Sequence, residues 1–377
     1  KNMNMKKQKE KKAGKIPFPL KVTGILLLTF LLLFFAAVLF VHSFLGKIDY
    51  QPGTATVAVE TDSADTTLST EILEEDQESS GTSLADSTAE EIPALEQRLL
   101  EQTSGMEDVL FDENVMNILL IGYDSRDADS RGRSDTNILV SINQETKEIT
   151  MTSIMRDCYV SIPGYGNNRI NAAYAFGGGS LLIETIEKNF QISVNNYVAV
   201  NFYAFMDIID LIGGIEIEVS DAEAEVMNRY IRELNRLEGS EETKDQLNKG
   251  GTLHLNGKQT LAYTRVRYVG NADFERTERQ RTVLEKVFEK AKQMNLLELN
   301  DLLNRLLPEV STDMSEKEVL FLLLKGPAYL QYDLKSLRIP ADGTYESLRI
   351  NGMEVLGVDL EANKKLLEQE VYGSGLE

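Results

Sequence analysis

Three short apolar runs, separated by loops dense in charge, set the strongest constraint on how this chain folds. They span residues 117–121, 137–142 and 149–154, and each is rich in Ile, Leu and Val and bounded by polar turn residues. Such runs are typical of β-strands with a buried face. If the three strands are neighbours in one sheet, the hairpin-like connections bring the intervening Asp and Arg residues to one edge of it, where sites usually form.

Charged residues cluster at these predicted strand ends. They are Asp124, Arg126, Arg133, Asp135, Arg156 and Asp157. Mixed Asp and Arg side chains at one rim suit a metal-bound phosphate, because Mg²⁺ takes carboxylate and phosphate oxygens together while guanidinium groups bind the remaining phosphate oxygens. The alternative for any one of these residues alone is a surface ion pair.

The first part of the chain predicts a membrane anchor and a linker. Residues 1–21 carry eight Lys and one Glu, and 22–41 then run without a charge, which is long enough to cross a bilayer as a helix. A cleaved signal peptide is the alternative, but no small-x-small site follows. The lysines place the N-terminus in the cytoplasm and the rest of the chain outside. We assign a cytoplasmic tail to 1–21, a transmembrane anchor to 22–45, and a disordered acidic extracellular linker to 46–113, with a weak helix near 94–100.

Composition limits the chemistry of the remaining part, residues 114–377. The whole chain has a net charge of −21 and this part stays acidic, whereas a domain that binds nucleic acid is normally basic. One cysteine excludes an intramolecular disulfide and a Cys-rich zinc site, and two histidines argue against a His-based zinc site or triad. The chemistry therefore falls to Asp, Glu, Arg, Lys, Tyr and hydroxyl groups.

Strand-type and helix-type patterns alternate through residues 114–377. This predicts an α/β fold, a layered α-β-α domain with helices on both faces of a mixed central sheet. Further strands are predicted at 159–162, 195–201, 215–219, 333–340 and 354–358, and helices at 181–190, 202–212, 221–237, 256–263, 273–294, 296–307, 315–324 and 359–371. Ser180 is predicted to cap the first of these helices, after a glycine-rich turn.

A second charged block lies at residues 265–281. Its arginines are Arg265, Arg267, Arg276, Arg279 and Arg281. On a helix that begins near Asp273, Arg276, Arg279 and Gln280 share one face by the i, i+3, i+4 rule. So many arginines in an acidic domain need an anionic counterpart. The alternative is a surface helix paired with its own glutamates.

Together with the anchor, the two charged blocks resemble the LytR-CpsA-Psr family of envelope proteins of Gram-positive bacteria. The resemblance rests on six motifs in order: GYDSR at 122–126, RSDT at 133–136, SIMRD at 153–157, RINAAYAFGG at 169–178, LNGKQTLAYTRVR at 255–267 and D..R...Q at 273–280. It covers residues 117–294. Met155 and Cys158 depart from the family pattern, which commonly has proline at the first position and threonine or serine at the second.

The resemblance implies a membrane-anchored phosphotransferase that moves a polyprenyl-pyrophosphate-linked glycopolymer, such as teichoic acid or capsular polysaccharide, onto a hydroxyl of peptidoglycan. By that similarity Asp124 and Asp135 would hold Mg²⁺ or Mn²⁺. The pyrophosphate would be bound by Arg133, Arg156, Arg265, Arg267, Arg276 and Gln280. The predicted catalytic residues are Arg156, Arg267, Asp157 and Asp273, and the candidates for a general base are Asp124, Asp157 and Asp273.

Two other functions stay open at the level of sequence. One is a pyrophosphatase that hydrolyses the same lipid substrate, and the other is a non-catalytic envelope sensor or scaffold. The prenyl chain would need an apolar groove, for which the sheet face near Phe190, Val198, Val200, Phe202 and Phe205 is a candidate, although ordinary core explains these residues equally well. The polymer, the acceptor hydroxyl and the oligomeric state are left open.

Overall fold

The computed structural model places strands on the three apolar runs that the sequence singles out. It describes residues 49–50, 91–104, 109–123, 132–267, 273–295 and 310–373, together with the single positions 298, 302, 305 and 308. The predicted anchor at 22–45, much of the predicted linker and nearly all of the helix predicted at 296–307 lie outside these residues. Within them, no helix has the length and apolar character needed to cross a membrane.

A mixed sheet forms the centre of the described fold. Seven strands of the described residues belong to it: β1 (Asp49–Tyr50), β2 (Val115–Tyr123), β3 (Ser134–Asn143), β4 (Glu148–Ile154), β7 (Asn196–Asn201), β10 (Val310–Thr312) and β11 (Asp333–Ile339). Their spatial order is β1-β10-β7-β2-β3-β4-β11. The pairs β1–β10, β7–β2 and β4–β11 are parallel and the others are antiparallel, which confirms the predicted mixed sheet.

Two smaller sheets complete the strands of the described residues. One has the order β12-β13-β5-β6 and contains β5 (Cys158–Ile162), β6 (Gly166–Arg169), β12 (Tyr345–Ile350) and β13 (Met353–Val358). The other is a hairpin of β8 (Ile215–Val219) and β9 (Gly251–Leu255), so β8 does not join the central sheet. Five of the described strands are not predicted from the sequence: β1, which lies in the stretch 46–113 predicted to be disordered, and β6, β9, β10 and β12. Sequences such as GNNR in β6 are too short and polar to show a strand pattern.

The helices follow the predicted pattern closely. They are α1 (Glu91–Ser104), α2 (Asn171–Phe190), α3 (Phe202–Leu211), α4 (Asp221–Leu237), α5 (Gly257–Thr264), α6 (Asp273–Gln293), α7 (Glu316–Tyr329) and α8 (Leu360–Leu367), followed by a π-helical turn at Glu368–Tyr372. Ser220, Asn256 and Ser315 each begin a helix through a capping box, in which side chain and backbone satisfy each other reciprocally.

Helices cover both faces of the central sheet. Neighbouring residues of β3 show this, because successive side chains of a strand point to opposite faces. Leu139 packs in the main core with Leu182 of α2, whereas Val140 packs with Phe288 of α6 and Leu322 of α7. The layered arrangement is therefore α-β-α, as the sequence predicts.

The break predicted at the glycine run 177–179 is present as a kink, but the helix also extends before it, which the sequence does not predict. The helix α2 begins at Asn171 and continues through these glycines, with a kink at Gly178, where φ is 69°. A Cβ atom on Gly179 would lie 2.5 Å from the ring of Tyr197 on β7. Glycine is needed there because the helix backbone approaches the sheet too closely for any side chain.

Helix α1 confirms the weak helix predicted near 94–100 and shows that this part of the stretch 46–113 is not disordered. Its residues Leu95 and Leu99 are 2% and 1% exposed and pack in the main core. They are four residues apart and therefore share one helix face. These two residues attach the helix to the core, although the composition of the whole stretch is acidic.

The apolar residues proposed to line a lipid groove do not share one face. Phe190 is fully buried in the main core. Val198 and Val200 are partly exposed and, by alternation along β7, point away from that core. Phe202 and Phe205 pack beside a separate cluster around α3 and α5. Phe190 is therefore a core residue. The candidate groove is limited to the face of the sheet on which Val198 and Val200 lie, opposite the main core.

Candidate active site

Asp135 and Arg156 meet at one edge of the central sheet. The antiparallel pairing of β3 and β4, with Ile138 opposite Ser153, places the start of β3 beside the end of β4. Asp135 is near the start of β3, and Arg156 follows β4 directly. Nη1 of Arg156 donates a hydrogen bond of 2.6 Å to Oδ1 of Asp135, a short distance typical of charge-assisted contacts. Two of the sequence motifs thus converge.

Asp157 links Arg156 to a further arginine. Its Oδ2 atom lies 3.5 Å from Nε of Arg156, and Nη1 of Arg169 donates to its Oδ1 atom at 3.4 Å. Asp157 and Arg169 are both buried. Arg169, at the end of β6, is missing from the predicted site residues. Its place at the head of the RINAAYAFGG motif is the signal by which the sequence identifies it.

The second charged block reaches Asp135 as well. Burial by itself raises the pKa of the Asp135 carboxyl, but the positive charges of Arg156, Arg276 and Arg267 outweigh it and lower the pKa from 3.8 to about 2. The carboxyl is therefore ionised at neutral pH. Arg267 follows α5 and Arg276 lies near the start of α6. Segments distant in sequence therefore contribute charge to one place.

Arg276 and Gln280 stand one helical turn apart on α6. Their side chains are buried, with 3% and 9% of each residue exposed. The i, i+4 spacing places them on the same face of the helix, as the sequence predicts. Arg276 is buried and lowers the pKa of Asp135 on another element. It is therefore not a surface charge.

Arg265 and Arg267 take different directions although only Val266 separates them. The guanidinium of Arg265 lies 4.8 Å from the ring centre of Tyr230 and 5.6 Å from that of Phe202, both within cation–π range. Its Nη2 atom is 3.9 Å from a carboxylate oxygen of Glu233. Arg267, by contrast, acts on Asp135. The sequence predicts the same pyrophosphate-binding role for both arginines, but in the structure their side chains have different surroundings.

Three of the predicted site residues are less fully described. Arg133 is partly buried directly before β3. Asp124 lies outside the described residues, in the segment 124–131, and so does the side chain of Asp273. Their predicted roles therefore stay predictions.

Asp135 supplies one carboxylate suited to a hard divalent cation. No group of three or more His, Cys, Asp or Glu side chains is placed to hold a metal ion in the part of the chain that the structure describes. Mg²⁺, however, usually binds through one or two carboxylates together with substrate phosphate oxygens and water. An ionised Asp135 at the strand end, next to guanidinium groups for the phosphate, fits that kind of shared site.

Comparison with known proteins identifies the family. A sequence model described as the LytR_cpsA_psr family matches residues 74–371, which is most of the chain. The chain belongs to the LytR-CpsA-Psr family.

Relatives with assigned names and solved structures support this membership. The polyisoprenyl-teichoic acid–peptidoglycan teichoic acid transferase TagU of Enterococcus faecalis is 35% identical over 212 residues, covering 55% of this chain and 64% of that protein. TagU of Oceanobacillus iheyensis is 35% identical over 240 residues, covering 62% and 69%. The match thus spans slightly less than two thirds of the Enterococcus protein.

A solved structure shares the fold of this LytR-CpsA-Psr chain. TagT of Bacillus subtilis with bound octaprenyl pyrophosphate lipid matches with a TM-score of 0.52 and 28% identity, covering 70% of this chain and 93% of that chain. The two departures from the family pattern, Met155 and Cys158, are 2% and 0% exposed in the main core. Both side chains therefore belong to the core and not to the charged cluster.

Proposed function

We propose that this protein is a membrane-anchored phosphotransferase that attaches polyprenyl-pyrophosphate-linked glycopolymers, of the teichoic acid or capsular polysaccharide class, to peptidoglycan. The observation that carries the proposal is the convergence of Arg156, Arg267 and Arg276 on an ionised Asp135. Guanidinium groups gathered at one strand edge match the planar, paired hydrogen bonding of phosphate oxygens. The names of the TagU relatives and the lipid bound to TagT support the same substrate class.

Binding of the pyrophosphate falls to six residues in this proposal. They are Arg133, Arg156, Arg265, Arg267, Arg276 and Gln280. Arg156 is the best supported, because it donates a hydrogen bond to Asp135, and Arg267 and Arg276 also lower the pKa of Asp135 from a different part of the chain. Asp135 and Asp124 would hold Mg²⁺, and Mn²⁺ would use the same ligands. When bound, the cation supplies charge neutralisation at the phosphate oxygens.

The proposed reaction is transfer of a phosphoryl-linked glycan. The oxygen of an acceptor hydroxyl forms a bond to the phosphorus that carries the glycan, and the bond from that phosphorus to the bridging oxygen breaks. Polyprenyl phosphate leaves, and the hydroxyl proton passes to a base. Arg156 and Arg267 stabilise the negative charge that spreads over the phosphoryl and leaving oxygens.

The general base is chosen among Asp124, Asp157 and Asp273. Asp157 contacts the guanidinium groups of both Arg156 and Arg169. This engagement suits a residue that orients arginines, because both carboxylate oxygens of Asp157 already contact a guanidinium group. The proposal therefore gives Asp157 an orienting role and leaves Asp124 and Asp273 for proton transfer.

The location of the protein belongs to the proposal. Residues 22–45 would anchor it in the cell membrane with the N-terminus in the cytoplasm and the catalytic domain outside. The charge-free run and the preceding lysines support this topology. Its partners would be the lipid-linked glycan, the peptidoglycan acceptor and the bilayer, and not nucleic acid.

A transfer assay tests this function. The full chain in detergent is incubated with a lipid-pyrophosphate oligosaccharide, a peptidoglycan oligomer and Mg²⁺, and the acceptor is analysed by mass spectrometry. We expect the acceptor to gain the mass of the glycan phosphate. Replacement of Arg267 by Ala should lower turnover by about 10²–10³-fold, because a preorganised positive charge is lost at the reacting phosphate.

Arg236 provides the matched control for this assay. It is an exposed arginine on α4, paired with Glu242 at 2.8 Å, so Arg236→Ala should leave turnover unchanged. Release of free glycan phosphate without a gain in acceptor mass would instead show a pyrophosphatase. Demonstrated binding of the donor without either product would show a sensor or scaffold, and the transferase proposal would be abandoned.

A further inference from the structure

Arg279 lies on α6 close to Arg276, but its side chain is engaged with protein groups. Nε donates to Oε1 of Glu223 at 2.7 Å, Nη2 donates to Oε2 of Glu275 at 2.8 Å, and Nη1 donates to the carbonyl oxygen of Val266 at 3.0 Å. Only 6% of the side chain is exposed. Two carboxylates against one guanidinium leave the cluster with excess negative charge, which does not favour a phosphate ligand.

The carbonyl that Arg279 binds belongs to the residue between Arg265 and Arg267. Val266 is fully buried in the core cluster around β8 and α4. Its N–H donates to the carbonyl oxygen of Tyr263 at 3.2 Å. Side chain, N–H and carbonyl of Val266 are therefore all anchored, and the bond from Arg279 fixes the peptide plane that leads into Arg267.

Glu223 extends this network to a third element. Its Oε2 atom accepts hydrogen bonds of 2.8 Å from both the backbone N–H and the hydroxyl of Ser220, while its Oε1 atom accepts from Arg279. One partly buried carboxylate thus joins the start of α4 to α6. The segment that follows α5 is held against both helices, with its direction set by contacts that involve no substrate.

We propose that Arg279 is a positioning residue, which fixes the Val266–Arg267 peptide plane and thereby holds the guanidinium of Arg267 in place for the reacting phosphate. This inference rests on the proposed function, because it takes Arg267 to bind the reacting phosphate. The hydrogen bond from Arg279 to the carbonyl of Val266 does not depend on that function. Two neighbouring arginines of one helix face therefore have different roles in this proposal. Arg276 acts at the site, whereas Arg279 acts indirectly, through the backbone at Val266.

A double-mutant cycle tests the proposal. Arg279→Lys keeps the positive charge but loses the planar fork that bonds three groups at once. We expect kcat in the transfer assay to fall by about 10²-fold, because a small displacement of a catalytic group has effects of that size. In an Arg267→Gln background the same substitution should change kcat little, since the two residues act as a unit. Independent effects that multiply would overturn the proposal.

A second measurement does not need activity. The side-chain Nε–H resonance of Arg267, assigned by its loss in Arg267→Gln, should shift or broaden in Arg279→Lys. It should stay unchanged in Lys286→Gln, which alters an exposed residue of the same helix. If the wild-type protein shows no transfer, the proposed function fails, and this resonance still decides the positioning role. An unchanged Arg267 resonance in Arg279→Lys rules that role out.

A milder variant covers the case in which Arg279→Lys does not fold. Glu275 is 37% exposed and contributes one of the three contacts, so Glu275→Gln leaves the bond to Val266 in place but loosens the fork. We expect a smaller change of kcat in the same direction and a smaller shift of the Arg267 resonance. The absence of both changes would contradict the proposal.

Discussion

At the scale of single residues, direction separates side chains of the same type. Arg265 stacks against Tyr230, while Arg267 acts on Asp135. Arg279 is occupied by Glu223, Glu275 and the protein backbone. Their positions in the sequence do not predict these differences, because the groups that an arginine contacts depend on which residues the fold places next to it. Apart from Glu275, which lies on the same helix as Arg279, each partner here comes from another element of the fold.

Glu223 gives a prediction at this scale. Burial raises the pKa of its carboxyl, but hydrogen bonds from Ser220 and Arg279 lower it below the ordinary value of 4.5. A group whose pKa is lowered by folding contributes stability above its unfolded pKa and loses that contribution as the pH falls through the folded pKa. We expect the free energy of unfolding of the wild type to exceed that of Glu223→Gln at about pH 6, and the difference to shrink towards about pH 3.

Chemical denaturation at a series of pH values measures this difference. Glu289→Gln is the control, because Glu289 is 56% exposed and pairs only with Lys286 on the same helix surface in the described contacts. Its difference from the wild type should be small at every pH. A difference for Glu223→Gln that is constant with pH would show that its carboxylate is not stabilised by folding.

At the scale of elements, packing decides what local composition leaves ambiguous. Helix α1 lies in an acidic stretch whose composition favours disorder, yet its face with Leu95 and Leu99 enters the core. Helix α2 contains three consecutive glycines, which locally favour a turn, yet Gly179 permits close contact with Tyr197. In both cases a contact with a distant element outweighs the local preference.

Adjacent leucines of α1 provide a matched pair for testing its packing. Leu99 is 1% exposed, whereas Leu100 is 66% exposed. Leu99→Ala should lower the free energy of unfolding by about 2–5 kcal/mol, because it leaves a cavity in the core. Leu100→Ala should change it by no more than about 0.5 kcal/mol. Urea denaturation measures both, and equal effects would mean that α1 does not pack as described.

At the scale of the whole molecule, the candidate site is assembled from distant segments. Asp135 and Arg156 come from the ends of neighbouring strands, but Arg267 and Arg276 arrive through the helices α5 and α6. Mutual repulsion of the guanidinium groups is offset by Asp135 in the described structure. A bound anion would offset it further, and would therefore stabilise the folded state over the unfolded one.

Ligand-dependent thermal unfolding tests this coupling. We expect inorganic pyrophosphate with Mg²⁺ to raise the unfolding temperature of the full chain, with a stabilisation of about 2.7 kcal/mol when the ligand is present at a hundred times its Kd. Arg267→Ala should reduce the rise, while the exposed control Arg236→Ala should retain it. The same rise in all three proteins would place the anion elsewhere.

The sequence by itself determined five of the seven described strands of the central sheet, the starts of the capped helices, the family motifs and the residue types available for chemistry. These follow from local periodicity, capping residues and composition, which act over a few neighbouring residues. Only the tertiary structure decided that Arg267 and Arg276 act on Asp135, that Arg265 and Arg279 do not share this role in the described contacts, and that α1 belongs to the core. Such outcomes depend on contacts between segments far apart in the chain, and no local pattern encodes which distant group a side chain will meet.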